Sequence, residues 1–189
     1  MIAPCSVYSP PMLARVQSSL LQGIDALSCE VEVDHTDLGD GDEAKSFAAI
    51  VGLPDAAVKE SRDRVTTAMA SSGYKFSYGR TTINLAPADV KKEGPSFDLP
   101  IALGMLAASE QIETDQLDHF VAVGELALTG AVRPCKGVLP IAIRAKQEGK
   151  TGVLVPAENA AEAAVVAGLN IIPVQNLREA AQFLEGEIR

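Results

Sequence analysis

Two stretches of the chain hold residue types at spacings that chemistry could use. The first is Lys91-Lys92-Glu93-Gly94-Pro95-Ser96-Phe97-Asp98. A serine at a Gly-Pro turn into a buried helix acts as a nucleophile when a lysine within hydrogen-bond reach takes its proton. The same serine also serves as an N-cap, its oxygen accepting from N–H groups of the first helical turn. Spacing alone makes the cap the commoner reading. The second stretch is Gly39-Asp40-Gly41-Asp42-Glu43-Ala44-Lys45-Ser46, one residue short of the phosphate-loop pattern GxxxxGK[ST], with Ala44 where the second glycine belongs. A phosphate cradle needs backbone N–H groups that approach an anion closely. Here Asp40, Asp42 and Glu43 would set negative charge against the phosphates, and Phe47–Gly52 reads as a strand where a helix is required. The segment is read as an acidic surface loop. Asp37, Asp40 and Asp42 lack the spacing of an EF-hand.

Metal and disulfide chemistry find little support. Cys5, Cys29 and Cys135 are odd in number and widely separated, and His35 and His119 are scattered. A disulfide framework or zinc site needs even counts or close pairs. The charge balance weighs against a polyanionic ligand: 16 Lys and Arg face 25 Asp and Glu, a formal net charge of -9. Such a chain is repelled on average by DNA. A local basic patch remains open, with Arg62, Arg64, Lys75, Arg80, Lys91 and Lys92 as the contact candidates. Each of them also reads as solvated surface charge.

The elements that would position these residues follow from periodicity. The 189 residues suit one domain, and 47% hydrophobic against 22% charged residues is an ordinary globular balance. With aromatics at 4% and no Trp, the core must be built from Ala, Val, Leu and Ile. Residues 1–13, with three prolines, read as a flexible leader, and the single domain is placed at 14–185. Alternation predicts strands over 14–22 and 24–33 joined at Gly23, and further strands at 47–51 and 81–85. Asp55 is expected to cap a helix to about Ser72 that ends at Gly73. Residues 94–96 open a second helix to about Ala108, apolar nearly all round and therefore central. The pattern then gives a strand at 120–128, a hairpin turn at Thr129-Gly130 and a short return strand at Val132. Helices at 139–147, 158–167 and 177–184 alternate with strands at 153–155 and 170–174, the order of an α/β unit with parallel pairings. No run of 18 apolar residues occurs, and the start lacks the basic and apolar regions of a signal peptide, so a cytoplasmic chain without membrane contact is expected.

Three segments carry a specific resemblance: IVGLPDAAVKESRDRV (50–65), INLAPADVKKEGPSFDLPIALGMLAAS (83–109) and VGELALTGAVRPCKGVLPIAIRAK (123–146). Together they resemble the amino-terminal domain of magnesium-chelatase-like AAA+ ATPases of the YifB/ComM type, over nearly all of 14–185. Residues 34–46 fit less well. The resemblance implies a mixed α/β fold like the proteolytic domain of Lon and the carboxy-terminal domain of the recombination protein RadA, in the superfamily of the ribosomal small-subunit-protein domain 2. It also implies a Lon-like nucleophile position at Ser96. The matching lysine position, counted from Gly124-Glu125, is held by Leu139, and the nearest lysine is Lys136, three residues earlier. A dyad needs reach of about 2.6–3.2 Å.

The expectation is therefore a non-catalytic accessory or assembly domain, with no cofactor of its own. ATP and Mg are expected in a following AAA+ module with Walker motifs, in a homo-oligomeric ring (a hexamer, by the resemblance) connected with DNA branch structures in recombination. The alternatives are a Ser96/Lys136 peptidase related to Lon, and a DNA-binding module like the RadA domain.

Overall fold

The computed structural model describes residues 12–37, 47–75, 79–113 and 115–188. The expected leader up to residue 11 and the acidic segment 39–46 lie outside the described residues.

A seven-stranded mixed sheet runs in the order β3-β4-β2-β1-β5-β8-β9. Its strands are β1 (Met12–Gln22), β2 (Asp25–Asp37), β3 (Phe47–Val51), β4 (Gly79–Ala86), β5 (Phe120–Ala122), β8 (Gly152–Pro156) and β9 (Asn170–Val174). A separate two-stranded hairpin pairs β6 (Glu125–Leu126) with β7 (Val132–Arg133). Four of the pairings in the large sheet are parallel (β1·β5, β3·β4, β5·β8 and β8·β9) and two are antiparallel (β1·β2 and β2·β4). The fold class expected from the sequence is the one observed, including the strand-rich first half and the parallel second half.

The strand chemistry explains the layering. β2 alternates, with Cys29, Val31 and Val33 buried and Glu30 and Glu32 half-buried on the other face. That outer face carries a polar ladder in which Gln17 donates to Glu30 (2.8 Å), Asn84 donates to Glu32 (2.7 Å) and Arg15 lies 3.8 Å from Glu32. β5 and β8 are buried at every residue, as befits strands covered on both faces. One face packs against α1 (Ala56–Ser71), α2 (Asp98–Ala108) and α5 (Leu177–Leu184). The other face of β5 and β8, through Val121, Val153 and Val155 with the adjoining Val123, packs against α3 (Val138–Gln147) and α4 (Ala160–Ala163).

All eleven residues of α2 are buried, as a helix apolar on every side requires. It crosses the sheet closely at Gly104, where an added Cβ would lie 2.6 Å from Val33 Cγ2. Asp55 caps α1 as expected, accepting from the Val58 N–H at 2.8 Å.

Several boundaries differ from the sequence reading. β1 begins at Met12, paired with His35, two residues before the strand start expected at 14. The expected strand 120–128 is two strands in two sheets, because the chain turns at Val123-Gly124 to follow α2. The helix expected over 158–167 contracts to a 3-10 turn at Ala157–Asn159 and the single turn of α4.

Candidate functional site

Ser96 lies in a 3-10 turn, Pro95–Phe97, that leads into α2. Gly94 enters this turn at φ 82°, a region that only glycine occupies without strain. The turn is held from three sides. The Gly94 N–H donates to the second carboxylate oxygen of Asp55 at 3.2 Å, so one aspartate both caps α1 and fixes the loop. Lys92 pairs with the strap before α1: its N–H donates to the Leu53 carbonyl (3.1 Å), and its carbonyl accepts from the Asp55 N–H (3.0 Å). Gly124 donates to the Ser96 carbonyl and accepts from the Leu99 N–H, each at 3.0 Å.

The serine hydroxyl itself takes no part in this. Ser96 is half-buried, and neither the 3-10 turn nor α2 has a side-chain cap bond. The N-cap reading is corrected: the 3-10 turn places Ser96 two residues ahead of the α-helix, with Phe97 at the cap position. Among the described residues no hydrogen bond to the Ser96 hydroxyl occurs, from Lys136 or any other lysine. Lys136 is exposed in the loop before α3, and Leu139 sits in the first turn of α3, its N–H donating to Glu162 at 2.9 Å.

The charged residue that the site does use is Asp98. It is fully buried and receives two bonds from Arg64, Nε to Oδ2 at 2.9 Å and Nη2 to Oδ1 at 3.0 Å. The Leu126 N–H adds a third at 3.2 Å. Arg64 also donates to the Ala57 carbonyl and the Ser61 hydroxyl, each at 3.1 Å. This bidentate geometry ties α1, the start of α2 and the β6–β7 hairpin together. The hydrogen bond to Asp98 is the main cause that raises the Arg64 pKa above its usual value.

The six basic candidates therefore separate. Two are corrected as surface contacts. Arg64 faces Asp98 from a side chain only 24% exposed. Lys92 is fully buried, its ammonium donating to the Pro87 carbonyl. Chain alternation around the Ser96 turn carries Lys91 out and Lys92 in. Arg62 and Lys91 are exposed but paired with Asp63 (3.0 Å) and Glu93 (2.8 Å). Lys75 and Arg80 are exposed and, among the described residues, form no ion pair. Among the described residues no group of three or more His, Cys, Asp or Glu is placed to hold a metal ion. Sequence reasoning missed the Arg64–Asp98 pair, which joins residues 34 apart and leaves no local pattern to read.

A Gly-Pro-Ser turn thus opens a buried helix beside a hairpin in a mixed sheet, and Leu139 stands in the first turn of α3. Comparison with known proteins gives the class. The family described as subunit ChlI of Mg-chelatase matches residues 35–159, and the chain belongs to this magnesium-chelatase-like family. Within it the chain is of the YifB/ComM type. It is 43% identical over 175 residues to the competence protein ComM of Haemophilus influenzae, covering 93% of this chain and 33% of that protein. It is 45% identical over 138 residues to the YifB protein of Escherichia coli, 73% of this chain and 27% of that one. Lon protease 2 of Bacillus subtilis is similar at 35% identity over 123 residues, 64% of this chain and 22% of Lon. The chain thus spans about a third of the length of the ComM relative it matches.

Proposed function

We propose that this domain is a non-catalytic accessory and assembly unit of a magnesium-chelatase-like AAA+ ATPase. The observation that carries the reading is Leu139. It holds the place where the Lon resemblance puts a lysine, and it has no amine to take the Ser96 proton. The other nearby lysines do not replace it: Lys136 is exposed and makes no bond to Ser96, and Lys92 is buried against Pro87. The framework around Ser96 is instead braced for rigidity, with Asp55 and the Arg64–Asp98 pair holding it from below. ATP and Mg belong in this reading to an AAA+ module elsewhere in the longer protein, which assembles as a ring in the cytoplasm. Among the described residues no helix is long and apolar enough to cross a membrane. In this reading the whole protein acts on DNA branch structures in recombination, with Lys75 and Arg80 as exposed cations available to a phosphate backbone. The net charge of -9 makes the domain itself a poor DNA binder at physiological salt.

The purified chain is expected to leave casein and other unstructured polypeptides intact over hours. Hydrolysis that disappears in Ser96→Ala would overturn the accessory reading and reinstate a peptidase. In a gel-shift titration the chain is expected not to retard branched DNA. A salt-dependent shift lost in a Lys75→Glu/Arg80→Glu variant would assign the DNA contact to this domain.

A further inference from the structure

We propose that the groove between α3 and the segment 162–167, with the exposed Val165 beside it, is a self-association surface, covered by the same surface of a second copy across a two-fold axis. The groove lining is mostly apolar, with Leu139, Ile143, Val165 and Val166 beside the polar Lys146 and Gln147. Ile143 is 43% and Val165 74% exposed, and both border the one groove, so their apolar surface is contiguous rather than scattered. The ends of the groove carry opposite charge. At one end the Glu162 carboxylate accepts from the Leu139 N–H (2.9 Å), and at the other the Lys146 ammonium donates to the Ala167 carbonyl (2.6 Å). Leu139, Ile143 and Lys146 lie along one face of α3 at the i, i+4, i+7 spacing.

A groove that is acidic at one end, basic at the other and apolar between is complementary to itself when turned by 180°. The two-fold sets α3 antiparallel to its copy, with Ile143 near the axis and each Glu162 facing the other copy's Lys146. Antiparallel helix dipoles favour the same arrangement. The contact is isologous and closes at two chains. Repulsion between two chains of charge -9 keeps the association weak. The inference concerns this chain alone and does not rest on the accessory reading.

Sedimentation equilibrium of the 189-residue chain tests it. The apparent mass is expected to rise from 19.8 kDa toward twice that value as concentration increases to about 100 μM. Ile143→Asp and Val165→Glu should each weaken the dimer about tenfold or more, with Val165→Glu deciding if Ile143→Asp fails to fold. Lys146→Glu and Glu162→Lys should each weaken it, and the double reversal should restore it. A mass fixed at 19.8 kDa across the range overturns the proposal. So does a dimer indifferent to both apolar substitutions, or a double reversal no tighter than either single one.

Discussion

Arg64 and Asp98 show what a buried ion pair does when each charge is also hydrogen-bonded. The Asp98 carboxylate has three donors, two from Arg64 and one from the Leu126 N–H, and no exposure to water. Removing one partner strands the other, which is costlier than never having had the pair. Arg64→Ala is expected to destabilise the fold by about 3 kcal/mol or more, read as a shift in the urea midpoint. Arg64→Ala in an Asp98→Asn background should cost clearly less, because the uncompensated charge is gone; equal costs would show that the pair is not coupled. The two described cysteines, Cys29 and Cys135, are the opposite case, uncharged groups away from bulk water. Burial pushes the thiols of Cys29 and Cys135 up to about 12, opposed at Cys29 by Lys92 and reinforced at Cys135 by Glu162 and Glu125. In a Cys5→Ser background neither should react measurably with Ellman's reagent at about pH 8 until the protein unfolds, since the thiolate is the reactive form. Fast labelling of the native chain would contradict the burial. At this scale the sequence was a partial guide. It identified Ser96, Lys136 and Leu139 as the residues to watch. It could not separate Lys91 from Lys92, because neighbouring lysines read alike until a turn sends one inward.

The elements were more legible, for a local reason. Asp55 at the start of α1, the alternation of β2 and the turn in the β6–β7 hairpin are settled within a few residues, and each falls where its pattern placed it. The misplaced ends are those where tertiary contact overrides local preference. α2 starts at Asp98 because the preceding turn is fastened to Gly124, and α4 is a single turn although its alanine-rich sequence favours a longer helix. Two substitutions probe this scale. Asp55→Ala removes the cap of α1 and the acceptor of Gly94 together, so it should cost about 1–2 kcal/mol, more than a cap that serves one helix alone. Gly104→Ala should destabilise despite alanine's better helix propensity, by about 1–3 kcal/mol, because its methyl group meets Val33 at 2.6 Å. A neutral or stabilising outcome in thermal melts would mean that α2 and β2 can move apart.

At the scale of the whole molecule, His35 is expected to couple pH to stability. It is buried at the end of β2 with its Nδ1 2.9 Å from the Thr81 hydroxyl. Burial lowers its pKa below the usual histidine value, while Asp37 and Asp34 act the other way. The unfolded chain therefore takes up this proton at a higher pH than the folded chain. The folded state carries no penalty above the unfolded pKa of about 6.5 and loses stability as pH falls below it. The melting temperature should drop between about pH 7.5 and pH 5.5, and His35→Gln should flatten that drop; a slope unchanged by the substitution would assign the effect to other groups. By itself the sequence determined the α/β class, the central apolar helix, the Gly-Pro-Ser turn and the absence of a lysine at position 139, since these depend on periodicity and on residues close in the chain. Only the tertiary structure decided that Arg64 and Lys92 face inward, that Ser96 does not cap its helix, and that β1 pairs with β5 across a hundred residues. The physical reason is that burial and long-range pairing are properties of the packed sheet and its two helical layers, and no short window of residues specifies which surfaces that packing brings together.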